Sequence, residues 1–286
     1  MKSAFVRVSG LALLLASTAA AAASPAGNKP VPTAAPGAGS PPLNAFAATV
    51  EEINVCTRGN LADRGSLRDV TLTSKARDGK ERALKLKLFW KPVKDTGEAR
   101  LNVRVTEPKD LAGSSYLLVR SEGQEQIYFY LPAANKVQQV SGDDLNRPLW
   151  GTDLSYTDLK QLQGLAANGT TKRINDTVIA GRAHYVLETQ LADAAPQYAT
   201  LRTYVDQQSC VPMRSDFLDG SGKLVKQLQA DAATLSELSP YWFVTHYAMK
   251  DLARNSETQI ELSDIYLLER LSEKNFAPAT FYLKNE

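Results

Sequence analysis

The sequence predicts a mainly-β protein: one large antiparallel sheet of about eleven strands, curled into a barrel or half-barrel and joined by two helices. Three observations lead there. Apolar residues recur at every second position in run after run, most clearly Leu84, Leu86 and Leu88 between Lys85 and Lys87. Turn signals such as Asp78-Gly79 and Asp219-Gly220-Ser221-Gly222 separate the runs at short intervals. Helical spacing appears in only two places, Leu43–Asn60 and Leu154–Leu162.

In chain order, the first 23 residues read as a secretory signal peptide, with a retained membrane anchor as the alternative. Lys2 and Arg7 are its positive end, Val8–Ala16 its short apolar core, and Ala19–Ala23 offers small-residue cleavage points. No cysteine follows the core, so no acyl anchor is expected, and the missing twin-arginine pattern favours export of an unfolded chain. Residues 24–42 are rich in Pro, Ala and Gly and read as a mobile tether. The folded domain is then expected over 43–286.

The domain opens with an amphipathic helix carrying Phe46, Val50, Ile53 and Val55, stopped at Arg58-Gly59-Asn60. Val70 and Leu72 alternate with Thr71 and Thr73, and Leu84–Leu88 follows across the Asp78-Gly79 turn. Leu101, Val103 and Val105 alternate with polar residues up to Pro108. Tyr116–Val119, Ile127–Leu131 and Lys136–Val140 are further strands. A short helix is expected from Leu154 through Thr157, Asp158, Leu159 and Leu162 to Gly164. Strands resume at Val178–Ile179, His184–Leu191, Thr200–Asp206, Met213–Leu218, Leu224–Ala230, Trp242–Met249 and Thr258–Leu268. Asn275–Leu283 closes the chain as a turn or short helix. Two strands, Tyr116–Val119 and Ile127–Leu131, are apolar on both faces, so each must be covered on both sides, by core packing, a helix or a bound apolar ligand.

Composition narrows the function. The chain has 33 basic and 31 acidic residues, and removal of Lys2 and Arg7 with the leader leaves 31 of each sign. A neutral chain does not bind nucleic acid by neutralising phosphates. Cys56 and Cys210 are the only cysteines; in an oxidising compartment they form a disulfide, with two buried thiols as the alternative. Their spacing is not that of a catalytic dithiol, and His184 and His246 are too scattered for a metal set, so neither metal nor cofactor is expected.

Catalytic constellations are missing too. There is no G-x-S-x-G elbow. Gly220-Ser221-Gly222-Lys223 is not a phosphate loop, because Phe217 stands where its first glycine belongs and Leu224 where Ser or Thr must hold magnesium. The neighbouring acids Glu51-Glu52 and Asp143-Asp144 point apart on regular elements and read as solvated charge, and the two histidines as strand residues.

Several segments carry a family resemblance. Tyr128-Phe129-Tyr130-Leu131-Pro132-Ala133 with Lys136-Val137, and Leu149-Trp150-Gly151-Thr152-Asp153-Leu154-Ser155-Tyr156-Thr157-Asp158-Leu159, resemble motifs of the outer-membrane lipoprotein-sorting protein family, relatives of the periplasmic carrier LolA. In the second motif Leu154 stands for the usual Phe, and Thr157 for an acid. Tyr204-Val205-Asp206, Cys210-Val211-Pro212, Gly222–Lys226, Tyr241-Trp242 and Met249-Lys250-Asp251 resemble later stretches, in order, from about Ala45 to the end.

The resemblance implies a half-open, strongly curved antiparallel β-barrel with helices at its mouth, which holds the acyl chains of a lipid or lipoprotein on its concave face. On that reading Leu84, Leu86, Leu88, Val103, Val105 and Leu118 line the cavity, with Tyr128, Phe129, Tyr130, Phe217 and Trp242. It also implies a periplasmic location and a membrane partner, either a resistance-nodulation-division (RND) transporter of the inner membrane or an outer-membrane acceptor. The Trp150-Gly151-Thr152-Asp153 segment and Tyr156 have two readings. Gly151 forms a turn while Thr152 or Asp153 caps the next helix, or the segment is a moving lid with Trp150 as its wedge. A sensor or adaptor that binds a protein on the same surface is the rival to the carrier; a lipid hydrolase is a second rival.

Overall fold

The computed structural model describes residues 47–61, 64–93, 98–121, 124–156, 158–159, 169–195 and 198–284. The expected signal peptide, the tether, Phe46, and the end of the second helix from Gln161 to Gly164 lie outside the described residues. Among the described residues one α-helix, α1 (Val50–Gly59), precedes fifteen strands. These are β1 (Gly65–Lys75), β2 (Glu81–Val93), β3 (Glu98–Glu107), β4 (Ser115–Ser121), β5 (Gln124–Leu131), β6 (Lys136–Val140), β7 (Gly169–Ile179) and β8 (Arg182–Ala195). The rest are β9 (Tyr198–Asp206), β10 (Pro212–Leu218), β11 (Leu224–Ala230), β12 (Leu235–Leu238), β13 (Tyr241–Val244), β14 (His246–Asp251) and β15 (Ser256–Leu268).

Thirteen strands form one antiparallel sheet in the order β6-β5-β4-β3-β2-β1-β15-β14-β11-β10-β9-β8-β7, while β12 and β13 pair only with each other. The end strands β6 and β7 are not neighbours, so the sheet is open. It is also curved: one contiguous apolar cluster joins Leu118 and Ile127 of β4 and β5 to Leu201 and Phe217 of β9 and β10, strands far apart in the sheet order.

The count of fifteen corrects the expected eleven. The Trp242–Met249 run is two strands in different sheets, β13 and β14, which part at Thr245, whose carbonyl accepts the Leu262 amide at 2.8 Å. β12, with two exposed residues in four, carries too short a pattern to be read. β7 is eleven residues long rather than the apolar pair Val178–Ile179, because an edge strand solvated on both sides needs no apolar alternation.

α1 starts later than its periodicity suggests. Thr49 and Glu52 form a capping box: the Glu52 amide donates to Thr49 Oγ1 at 3.2 Å and the Thr49 amide to Glu52 Oε2 at 2.7 Å. Ile53 and Cys56 are its buried residues, whereas Val55 is 42% exposed and does not belong to the packed face. The Cys56–Cys210 disulfide ties α1 to the loop after β9, with Cα atoms 5.7 Å apart. Asn60 adds a second tie, donating from Nδ2 to the Ser209 carbonyl at 2.7 Å.

Strand alternation sorts the interior into two faces. Val70, Leu72, Leu84, Leu86, Leu88, Leu101, Val103, Val105, Tyr116 and Leu118 belong to the concave cluster. The intervening Phe89, Leu117, Val119, Tyr128 and Tyr130 lie on the outer face, under the C-terminal segment with Phe276 and Phe281. That segment is latched by Asn102, which donates to the carbonyls of Asn275 and Phe281 at 2.7 and 2.9 Å. Arg104 adds a bond to the Phe281 carbonyl, and Tyr130 stacks on Tyr282 with ring centroids 4.0 Å apart. The doubly apolar strands β4 and β5 are thus covered by the concave cluster on one side and by the chain's own end on the other.

Candidate functional site

The concave face holds a hollow. Its walls are Val70 and Leu72 of β1, Leu86 and Leu88 of β2, Val103 of β3, and Ile260, Leu262, Ile265 and Leu267 of β15. A bulge makes the β15 contribution possible: Val70 pairs with Leu262, but Asp69 pairs with Asp264, leaving Ser263 without an opposite residue. The extra residue reverses the alternation, so that Leu262, Ile265 and Leu267 all reach the same space. The core of the hollow measures about 100 Å³, and the cleft as a whole, open solvent included, about 900 Å³.

Two elements roof it. Leu154 and Leu159 come from the motif segment, and Leu238, Tyr241, Phe243 and Val244 from the β12–β13 hairpin. The hairpin is held beside α1, since the Trp242 amide donates to Asn60 Oδ1 at 2.9 Å.

The expected cavity residues divide. Leu86, Leu88 and Val103 line the hollow. Leu84, Val105, Leu118 and Phe217 are buried in the same concave cluster, and Phe129 packs on its edge. Tyr128 and Tyr130 face the other way, beneath the C-terminal segment, because they alternate with Phe129. Trp242 packs in a separate cluster with Val211, Met213 and Ala230, on the hairpin side away from the hollow. Leu238, Tyr241 and Phe243 were not expected to line a cavity, although Tyr241 stands in a family-like stretch and Phe243 in an expected strand; the Ser239-Pro240 dipeptide between two short apolar runs was the available signal for the hairpin.

The motif segment is built as a bonded staple. Trp150 and Gly151 both have left-handed backbone, φ 50° and 77°, as the centre of a type I′ turn requires, and the Thr152 amide closes the turn on the Leu149 carbonyl at 2.8 Å. Trp150 rests against Phe129 at 6.2 Å, and Tyr156 lies 5.4 Å from Tyr116 and 5.9 Å from Phe129 between ring centroids.

Neither Thr152 nor Asp153 is the helix cap. Ser155 is: its Oγ accepts the Asp158 amide at 3.2 Å, and Asp158 Oδ2 accepts the Ser155 amide at 2.7 Å. Tyr156, Asp158 and Leu159 are helical. Asp153, 3% exposed, is committed to the sheet instead. It accepts from Arg254 Nη2 at 2.9 Å, Ser256 Oγ at 2.5 Å and Thr258 Oγ1 at 2.9 Å. Asp158 is bound in turn by the Lys226 ammonium of β11, an ion pair with side chains 0% and 8% exposed.

Arg68 is the one charged side chain among the described residues lining the hollow. Burial lowers the pKa of its guanidinium, partly offset by nearby Tyr247. Burial likewise pushes the Tyr247 phenol up to about 12.

The remaining polar candidates serve local structure. His184 is buried, with Nδ1 2.8 Å from the Arg182 carbonyl, and His246 is exposed beside Thr245. Asp219 Oδ1 accepts from Ser221 and Lys223 amides at 2.9 and 3.0 Å, which makes Asp219–Lys223 the β10–β11 turn. Glu51 pairs with Arg58 at 2.7 Å and Asp144 with Arg147 at 2.8 Å on the surface. Among the described residues no group of three or more His, Cys, Asp or Glu is placed to hold a metal ion, and no helix is long and apolar enough to cross a membrane.

Comparison with known proteins places this architecture. No curated protein matches the sequence. A DUF1329 family protein from Desulfovibrio piger superposes with a TM-score of 0.71 at 22% identity, over 79% of this chain and 95% of that one. A domain named for outer-membrane lipoprotein sorting, from Vibrio parahaemolyticus, gives 0.70 at 20% identity over 80% and 97% of the two chains. A LolA superfamily protein from Nitrosomonas europaea gives 0.62 at 19% identity over 81% and 98%. A family model described as uncharacterized protein-like matches residues 97–282, well over half of the sequence. The chain belongs to this DUF1329-like family, whose fold is that of the LolA-like outer-membrane lipoprotein-sorting proteins.

Proposed function

We propose that the protein is a periplasmic, non-catalytic carrier that shelters the acyl chain of a lipid or lipoprotein in the concave hollow and exchanges it with a membrane partner. The observation that carries this reading is the apolar hollow itself, walled by β1, β2, β3 and β15. Each CH₂ moved from water into such a space gains about 0.8 kcal/mol, so binding needs greasy walls and release needs no bond-making.

Size determines how the cargo enters. A core of about 100 Å³ is smaller than the roughly 150 Å³ cavity that admits a benzene ring. An acyl chain therefore requires part of the roof to move. The motif segment is fixed by two buried carboxylates, whereas the β12–β13 hairpin pairs with no strand of the main sheet. The hairpin is the part of the roof that opens, and the motif segment the part that stays fixed. The membrane partner is an RND-type inner-membrane transporter or an outer-membrane acceptor, and an uncleaved precursor carries the signal peptide 1–23. Family resemblance supports these last assignments.

Mass spectrometry of protein purified without detergent, together with titration of a fluorescent acyl probe, tests the proposal. Co-purifying lipid and saturable probe uptake, lost in Leu88→Glu, are expected. Folded wild-type protein that carries no lipid and takes up no probe refutes it. A tight protein partner under those conditions would favour the adaptor.

A further inference from the structure

One end of the hollow carries its charged residue, Arg68. Along β1 the concave side reads Leu72, Val70, Arg68, Ser66, a rise of about 20 Å. Opposite Arg68 and Ser66 stand Ile265 and Leu267, both lining residues, so the apolar walls continue past the guanidinium. Ser66 is also opposite Trp90 on β2, with Cβ atoms of such pairs roughly 5 Å apart. Ser66, 0% exposed, and Trp90, 1% exposed, are not wall residues of the hollow but lie next along the sheet from its Arg68 end. Neither Ser66 Oγ nor Trp90 Nε1 finds a hydrogen-bond partner among the described residues. Buried polar groups are ordinarily satisfied, and two adjacent orphans beside a cation mark a place prepared for oxygen.

We propose that this end is a headgroup subsite, and that the cargo is an amphiphile whose acyl chain lies along Val70 and Leu72 while an anionic carboxylate or phosphate oxygen meets Arg68, with the Ser66 hydroxyl and the Trp90 indole N–H beside it. The inference rests on the carrier reading and narrows its cargo. Its physical basis is desolvation. In a setting short of water an anion gains charge-assisted bonds in the planar geometry that arginine offers, whereas a neutral chain gains none. Among the described residues no carboxylate lines the hollow. The burial that already pushes the Arg68 guanidinium down agrees with an environment short of water.

The test compares three probes with the same sixteen-carbon chain: hexadecanoate, lysophosphatidic acid and neutral monoacylglycerol. Each competes against a fluorescent acyl probe on the full-length mature protein. At least one anionic probe should displace it at roughly tenfold lower concentration than the neutral one, the scale of one hydrogen-bonded charge. Arg68→Gln should remove that preference, and Arg68→Lys, which keeps the charge but not the planar fork, should retain only part of it. Ser66→Ala should weaken the anionic probe a fewfold without lowering the melting temperature of the free protein, since it deletes an unsatisfied hydroxyl. Better displacement by hexadecanoate assigns a carboxylate head, and by lysophosphatidic acid a phosphate. Equal displacement by neutral and anionic probes in the wild type overturns the subsite and leaves the carrier intact; this comparison stands even if Arg68→Gln fails to fold. Failure of every probe to bind overturns both.

Discussion

Lys226→Met isolates the contact that fixes the motif segment to the sheet. In the native protein Asp158 is fully buried and its Oδ2 accepts the Ser155 amide at 2.7 Å, the Ser155 hydroxyl at 2.8 Å and the Lys226 ammonium. Methionine keeps most of the side-chain volume but leaves a buried carboxylate with only the two Ser155 bonds. Breaking one side of a buried pair costs about 3–5 kcal/mol. For a domain of this size each kcal/mol lowers the melting temperature by roughly 2–4 °C, so a drop of about 6–20 °C is expected. Adding Asp158→Asn to Lys226→Met should restore part of the loss, because the orphaned charge is gone. The double-mutant cycle should then show a coupling of at least about 2 kcal/mol. Urea unfolding followed by tryptophan fluorescence measures all four proteins, and Trp150 reports from within the segment itself. A Lys226→Met protein within about 1 kcal/mol of wild type, or two losses that simply add, would show that the segment is held by its apolar contacts and that the ion pair is incidental.

Three other outcomes follow from the same geometry. Replacing both Cys56 and Cys210 with Ala opens a loop of 154 residues; the chain-entropy relation puts the loss at about 5 kcal/mol, and an unchanged urea midpoint would refute the role of the bridge. Asp206 is raised by burial, but bonds from Arg182 at 2.7 and 2.8 Å and from Ser209 outweigh that and lower its pKa below the ordinary 3.8. The carboxylate therefore stabilises the fold above about pH 4, and this contribution fades as pH falls through the depressed folded value. Asp206→Asn should be less stable than wild type at pH 7, with a gap that shrinks at low pH; a gap independent of pH would contradict the assignment. Phe281→Ala empties a fully buried site on the outer face and should cost about 3–5 kcal/mol. Acyl-probe affinity should stay unchanged under native conditions, because the hollow is on the opposite face.

Much of the sheet was legible because alternation is a local property. Leu84, Leu86 and Leu88 announce their strand and their common face without reference to any other segment, and all three are buried on the concave side. The same rule foretold that Ile127–Leu131 is covered twice, but it could not say by what. The answer depends on Phe276 and Phe281 folding back from well over a hundred residues away. The Leu149–Leu159 motif was visible as a turn leading into a helix, yet its cap was misplaced by the reading. Asp153 is a good cap by residue type, but Arg254, Ser256 and Thr258 claim its carboxylate through the tertiary fold, and Ser155 takes the cap.

By itself the sequence determined a strand-rich chain of nearly balanced charge with one cysteine pair and a family motif, since charge balance, period-two patterning and residue identity are carried by near neighbours along the chain. Only the tertiary structure decided that a hollow remains between the strands, that the 235–244 hairpin roofs it, and that Arg68 sits at its end. A cavity is what packing leaves unfilled among side chains from strands distant in sequence. The Ser263 bulge that turns Ile265 and Leu267 inward is defined only against the strand it pairs with.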